Sequence, residues 1–138
     1  MAGPLIYADA SAIMRLVDGD EPARQRVEAL LRQHGGSVVT SVISMIECRS
    51  KPLRDGDAQR VSAYDAFFSS NDLALFPVNS AVAERATQLR ATYNLKTPDA
   101  IHVATAAVHG ASLVVTTDHD FARCRDLPGM TIEVVSMS

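Results

Sequence analysis

Acidic side chains at five positions of this sequence could do chemistry together, although the chain separates them widely. They are Asp9, Glu47, Asp99, Asp118 and Asp120. Two carboxylates about 4 Å apart repel each other by roughly 4 kcal/mol at an effective dielectric constant of about 20. A domain that is stable by only about 5–15 kcal/mol tolerates such a cluster if some carboxylates are protonated or if divalent cations lie among them.

The types of side chain favour a particular kind of cation. Carboxylate oxygens without Cys or paired His suit Mg²⁺ or Mn²⁺ better than Zn²⁺, and Cys48 and Cys124 lack the spacing of zinc ligands. One or two such ions can activate a water, bridge a phosphodiester and stabilise the leaving oxygen. If the acids converge, the predicted chemistry is therefore hydrolytic phosphoryl chemistry.

Each acid also has a purely structural interpretation. The aspartates stand where a carboxylate can cap a helix or offset its macrodipole. Glu47 precedes Lys51 by one helical turn, which is the favourable orientation for a surface ion pair. No single acid identifies a site, so the hypothesis depends on their convergence.

The hydropathy pattern predicts the elements that must position these acids. We predict strands at 4–8, 37–40, 73–78, 113–116 and 130–135, helices at 10–17, 21–34, 55–70, 80–93 and 97–109, and a helical turn after residue 120. Strands that alternate with helices, and that are apolar enough to be covered on both faces, favour a three-layer α/β sandwich with a mostly parallel sheet. Ligands of such a sheet bind beyond the carboxyl ends of the strands, where most of these acids fall.

Local signals set several helix boundaries. Ser41 or Ser44 can cap a helix that Pro52 is expected to end. Thr97 is expected to cap the helix that carries Asp99, with a proline at its first position.

Length and composition bound the class of protein. The 138 residues are 47% hydrophobic with a formal net charge of −3, which predicts one domain whose overall field does not attract phosphates. Any contact with nucleic acid would then depend on local basic patches or on bound cations. The start of the sequence shows no signal peptide, and His102, His109 and Gly110 interrupt the longest uncharged stretch, so we expect a cytoplasmic protein with no membrane span.

Four segments of the sequence resemble the motifs of PIN-domain ribonucleases, especially the bacterial VapC-type toxins. They are Ile6 to Ala12 (IYADASA), Glu47 to Arg49 (ECR), Thr97 to Ala104 (TPDAIHVA) and Thr116 to Phe121 (TTDHDF). The third and fourth are the most specific. The resemblance spans nearly the whole chain in the right order, and we predict a single PIN-like domain over residues 1–138.

The resemblance implies a function as well as a fold. It implies an Mg²⁺- or Mn²⁺-dependent endoribonuclease, a homodimer, and a cognate antitoxin that occupies the active-site cleft. It assigns metal binding and catalysis to Asp9, Glu47, Asp99 and Asp118. It implies that Asp120 is a less certain metal ligand. It also implies that the hydroxyl-bearing residues Ser11 and Thr117 support the ligands without binding the metal themselves.

Other interpretations stay open at this point. A PIN-like interaction module without catalysis has the same motifs. A receiver-like signalling domain also gathers acids around Mg²⁺, but it needs a Lys after a late strand, and none follows Thr116 closely. A haloacid-dehalogenase-type phosphatase needs a second Asp where Ser11 stands. For His102, which shares a helix face with Asp99, we expect a packing or hydrogen-bonding role.

Overall fold

A five-stranded parallel sheet lies at the centre of the protein, of which the computed structural model describes residues 3–136. The strands are β1 (Leu5–Ala8), β2 (Ser37–Ser41), β3 (Leu73–Phe76), β4 (Leu113–Thr116) and β5 (Thr131–Val134). The helices are α1 (Ala10–Asp18), α2 (Glu21–His34), α3 (Ile43–Arg54), α4 (Ala58–Phe68), α5 (Ser80–Tyr93), α6 (Thr97–Val108) and a 3₁₀ helix (His119–Cys124). The ends of the predicted domain, residues 1–2 and 137–138, lie outside the described residues.

The strand order places β1 and β4 side by side. The order is β3-β2-β1-β4-β5, and every pairing is parallel. The chain leaves β1 for β2 on one side and later returns to β4 on the other side, which makes β1 the point where the strand order reverses. In an open parallel sheet, the crevice beyond the carboxyl ends of the strands at such a point is where ligands bind.

Helices cover both faces of the sheet, as predicted for a three-layer sandwich. One core joins the sheet to α5 and α6, and its buried members include Tyr7, Val39, Leu89, Val103 and Val114. The other core joins the sheet to α1 to α4, and its members include Ile6, Ile13, Val27, Tyr64 and Val115. Neighbouring residues of one strand enter different cores because strand side chains alternate between faces.

The expected end of α3 at Pro52 is wrong, because the helix continues to Arg54. A proline inside a helix removes one backbone hydrogen bond. Here the proline comes only two residues before the end of α3, so little helix remains to be disrupted. Its ring is buried, and its carbonyl accepts a hydrogen bond from the backbone N–H of Asp57 at 2.9 Å.

The predicted hydroxyl caps are also wrong. Helix α3 begins after Val42 without a side-chain cap, although Ser41 Oγ accepts from the backbone N–H of Ile43 at 3.2 Å. Ser44 is buried and hydrogen-bonds Thr40 instead. Helix α6 begins at the predicted capping residue Thr97 itself, and Lys96 before it makes no side-chain cap. The proline therefore stands at the second position of α6 rather than the predicted first, and Asp99 lies in the first turn as predicted.

Candidate active site

Asp9 stands at the carboxyl end of β1, where it also caps α1. Its Oδ1 accepts hydrogen bonds from the backbone N–H of Ala12 at 2.9 Å and from Ser11 Oγ at 2.7 Å. Its Oδ2 accepts from Thr116 Oγ1 at 2.6 Å. The residue is only 4% exposed, and burial raises the pKa of its carboxyl group, while His102 and these hydrogen bonds oppose the rise. The capping interpretation is therefore correct, and it also fixes the carboxylate at the carboxyl edge of the sheet.

Three other aspartates form the tightest acidic group. Asp99 in the first turn of α6 and Asp118 and Asp120 at the start of the 3₁₀ helix each offer a carboxylate oxygen, and these oxygens all lie within 4.8 Å of one another. Asp118 also caps that helix, because its Oδ1 accepts from the backbone N–H of Asp120 at 2.9 Å. All three side chains are partly buried. Among residues 3–136, this is the group whose carboxylate oxygens lie close enough together to be ligands of one hard cation.

The surroundings of Asp99 are unfavourable for a charged carboxylate without a cation. Burial, followed by the nearby charges of Asp118, Asp9 and Asp120, raises the pKa of Asp99 to about 6 against the opposing effect of His102. Its Oδ2 is buried and has no hydrogen-bond partner in the described part of the chain. A divalent cation between the carboxylates would supply the missing partner and offset the repulsion, so these residues fit such an ion.

Glu47 is connected to the site through a hydrogen bond with His102. Its Oε1 lies 2.6 Å from His102 Nε2, and it is not part of the three-aspartate group. The alternative interpretation of Glu47 as a surface partner of Lys51 is wrong, because the lysine pairs with Asp55 at 2.8 Å. The expected hydrogen-bonding role of His102 is confirmed. Whether Glu47 binds the cation stays a prediction.

The two predicted supporting residues act through a shared network. Ser11 Oγ, which donates to Asp9, accepts from the backbone N–H of Thr117 at 2.9 Å. Thr117 is therefore linked to the network by its backbone. The hydroxyl of the preceding residue, Thr116, donates to Asp9, and it also accepts from the backbone N–H of Asp118 at 3.0 Å. Sequence reasoning missed Thr116, although a hydroxyl at the end of a buried strand was the available signal.

The five predicted acids thus occupy one region but not one coordination group. Asp99, Asp118 and Asp120 are adjacent, Asp9 lies close enough for its charge to act on Asp99, and Glu47 is joined to the region by a histidine. Asp120, the least certain of the five in the sequence analysis, is one of the three adjacent aspartates. The assignment of the metal ligands among them stays a prediction.

The fold and the site together define a class of protein, an α/β domain with a parallel sheet whose acidic side chains meet at the carboxyl ends of β1 and β4. The family model of the PIN domain matches residues 6–127, which include all five acids. The chain belongs to the PIN domain family. This membership excludes the receiver-like and dehalogenase-type alternatives. No curated protein sequence matches the chain significantly.

Solved structures with the same fold come from several bacteria. A toxin-antitoxin complex from Klebsiella pneumoniae is 25% identical, with a TM-score of 0.70 over 94% of this chain and 96% of that chain. Mycobacterium tuberculosis VapC20, described as a Sarcin-Ricin loop cleaving toxin, is 19% identical, with a TM-score of 0.71 over 85% and 92% of the two chains. VapBC2 from Rickettsia felis, bound to a DNA fragment from their promoter, is 16% identical, with a TM-score of 0.74 over 96% and 99%. The last two similarities establish the fold alone.

Proposed function

We propose that this protein is an Mg²⁺- or Mn²⁺-dependent endoribonuclease that acts as the toxin of a toxin-antitoxin pair. The observation that carries the proposal is the group of Asp99, Asp118 and Asp120, with a buried Asp99 oxygen that has no partner. Membership of the PIN family supports it, as does the similarity to a toxin-antitoxin complex.

In this proposal, the acids hold the cation and the hydroxyls hold the acids. Asp99 and Asp118 are the proposed ligands from α6 and the 3₁₀ helix, with Asp120 beside them, and Asp9 and Glu47 complete the acidic site. When bound, a divalent cation supplies Lewis-acid chemistry that activates water and neutralises charge on a phosphoryl group. The hydrogen bonds from Ser11 and Thr116 keep Asp9 in place before substrate arrives, which limits the reorganisation that catalysis requires.

The direct test is RNA cleavage by the purified 138-residue chain. We expect cleavage with Mg²⁺ or Mn²⁺, products with 5′-phosphates, and no cleavage in excess EDTA, because the acidic site needs a cation to accept a phosphodiester. Sequencing of the 5′ ends identifies the target and the sequence that is cut. Cleavage that continues at the same rate in EDTA would disprove the metal mechanism. Absence of any cleavage, together with tight Mg²⁺ binding in calorimetry, would favour the alternative of a PIN-like interaction module.

A groove beside the acids contains a basic side chain that a polyanionic substrate can contact. The groove has a volume of about 250 Å³ and is lined by Ser11, by the acids Asp18 and Glu47, and by the basic side chains of Arg15, Lys51 and Arg60. Lys51 and Arg60 form ion pairs with aspartates. Arg15 is exposed and forms no ion pair within residues 3–136, so its charge is available to a phosphate. We propose that the RNA strand enters the site along this groove.

Replacing Arg15 with glutamate is expected to weaken RNA binding and raise the KM for cleavage by about three- to tenfold, because one phosphate contact becomes a repulsion. Mn²⁺ affinity should change little. The matched control is Arg32→Glu, which makes the same charge change near the end of α2, where the chain leads into the amino end of β2. Fluorescence anisotropy with labelled RNA at two salt concentrations measures both variants. Equal effects of the two substitutions would contradict the assignment of the groove.

The proposed antitoxin needs a surface as well as the acidic cleft. Ile46 and Leu53 on α3 are 65% and 69% exposed, and they line an apolar groove with Val61 of α4. Exposed large apolar side chains next to each other are typical of a surface that a partner covers. Because Ile46 is adjacent to Glu47, we propose that a cognate antitoxin covers this groove and the cleft together.

A homodimer and a cytoplasmic location belong to the same proposal. Light scattering of the purified chain measures the oligomer directly. No helix in the described part of the protein has the length and apolar character needed to cross a membrane.

A further inference from the structure

We propose that His102 is a positioning residue, whose Nε2–H holds the carboxylate of Glu47 in place for cation binding. This inference rests on the proposed function, since it concerns the same acidic site. It assigns a task to a buried histidine that is neither one of the acids nor a simple packing residue. Three side chains from three different elements take part: Tyr7, Glu47 and His102.

His102 uses both of its ring nitrogens. It lies on α6 and is only 2% exposed. Its Nδ1 is 2.6 Å from the Tyr7 hydroxyl of β1, and its Nε2 is 2.6 Å from Glu47 Oε1 of α3. A buried polar ring with both nitrogens engaged has one orientation that satisfies it, and any rotation would leave a buried polar atom unpaired.

The proton on the side facing Glu47 follows from the chemistry of the partner. A glutamate carboxylate only accepts hydrogen bonds, so Nε2 must carry the proton of this contact. The conclusion holds whether or not Nδ1 is also protonated. A histidine therefore acts here as a fixed donor, which is the role that outer groups play around metal-binding carboxylates.

The ring itself is held by its neighbours. The Tyr7 hydroxyl that contacts Nδ1 also accepts from the backbone N–H of Ser41 at 3.2 Å. The Tyr7 and His102 rings meet edge to face with centroids 5.7 Å apart, and the Phe121 ring lies on another side at 6.4 Å. Tyr7 and Phe121 are fully buried, so the histidine cannot turn without moving the core.

Glu47 needs such a support more than the aspartates do. Its side chain has one more rotatable bond than theirs and is 35% exposed, so it loses more conformational freedom when it is fixed. Asp9 and Asp118 are already fixed by capping bonds, which Glu47 lacks. The contact with His102 uses only Oε1, and within residues 3–136 no hydrogen bond engages Oε2, which is left for a ligand.

A pair of substitutions separates positioning from packing. In His102→Gln, the side-chain amide can reach the position of Nε2 and donate to Glu47. In His102→Asn, the shorter side chain reaches only the position of Nδ1 and the contact with Tyr7. Isothermal titration of the full chain with Mn²⁺ alone is expected to show binding about tenfold weaker for His102→Asn. Binding to His102→Gln should stay within about threefold of the original protein.

A double-mutant cycle with Glu47→Gln tests whether the histidine acts through the glutamate. We expect His102→Asn to weaken Mn²⁺ binding no further once Glu47 is replaced, because the supported carboxylate is gone. Fully additive effects would overturn the proposal, and so would equal losses in His102→Gln and His102→Asn. Thermal melts followed by circular dichroism establish that each variant is folded before it is titrated.

A measurement without metal completes the test. In the metal-free protein, ¹⁵N-edited NMR of the imidazole should show a proton on Nε2 of His102 that is protected from exchange, and Glu47→Gln should shift its resonance. An unprotonated Nε2 would overturn the proposal. The outcomes also separate the two hypotheses. If the original protein and His102→Asn bind Mn²⁺ equally well, only the positioning role of His102 is refuted. If the original protein does not bind Mn²⁺ at all, the proposed function is refuted together with the positioning role.

Discussion

Replacing Asp99 with asparagine is expected to reduce RNA cleavage by at least about a hundredfold and, at the same time, to stabilise the metal-free protein. The loss of activity follows because the substitution removes a charged oxygen from the three-aspartate group, and even outer-shell changes at metal sites cost about 10–100-fold. The gain in stability follows because burial and three neighbouring carboxylates make the Asp99 charge unfavourable. A neutral amide of the same shape removes that repulsion.

The pH dependence of stability identifies Asp99 as the source of this gain. The pKa of Asp99 is about 6 in the folded protein, against about 4 in an unfolded chain. The folded state therefore binds more protons between these values, so the free energy of unfolding falls as pH rises from about 4 to 6 and then levels. After allowance for solvent screening, we expect this carboxylate to destabilise the metal-free protein at pH 7 by about 1–2 kcal/mol.

Urea unfolding in EDTA at pH 4.5 and pH 7 measures the effect. Asp99→Asn should be more stable than the original protein at pH 7, and the difference should shrink at the lower pH. The control Asp72→Asn makes the same change just before β3, away from the cleft, and should alter neither cleavage nor the pH dependence. Original rates of cleavage in Asp99→Asn would show that the cation site has been misplaced.

Much of this architecture was predictable because the signals are local. Buried strands such as β4 are short apolar segments, and α5 has the predicted bounds, with its first turn capped by Asn79. The parallel sheet followed from the alternation of these elements. Once the sheet was predicted, the placement of Asp9 and Asp118 at one edge followed from the rule that parallel strands end at the same edge of a sheet.

The arrangement of side chains within the site was not predictable in the same way. Spacing places Glu47 on a helix near the cleft, but it does not show that a histidine 55 residues away holds its carboxylate. It also does not show that Asp120 forms a group with Asp99 and Asp118 to which Glu47 does not belong. These facts depend on the angle between α3 and α6 and on side-chain rotamers, which packing decides. The helix continues past Pro52 for a different reason, since only two residues of α3 follow the proline and little helix remains to be disrupted.

Asp9→Asn tests the acid at the end of β1, outside the three-aspartate group. We expect this substitution to abolish cleavage, as Asp99→Asn does, but without the gain in stability. Both Asp9 oxygens accept hydrogen bonds, three in all, from Ser11, Ala12 and Thr116. Asparagine has one acceptor oxygen, so its amide group must face either the Ala12 N–H or the Thr116 hydroxyl. To accept from the amide, this hydroxyl, which also accepts from the N–H of Asp118, must turn its own proton away from residue 9, and its other acceptor, Ser11 Oγ, is farther away at 3.2 Å.

The stability of Asp9→Asn therefore depends on two opposing effects. Burial raises the pKa of Asp9, so loss of its charge is favourable, but a buried group left facing another donor costs about 1–3 kcal/mol. At pH 7 in EDTA, we expect Asp9→Asn to unfold at a lower urea concentration than Asp99→Asn, with a difference of about 1–3 kcal/mol. Equal stability of the two variants would mean that the three hydrogen bonds do not hold Asp9. In that case, the site would be assembled by the cation rather than prepared for it by the fold.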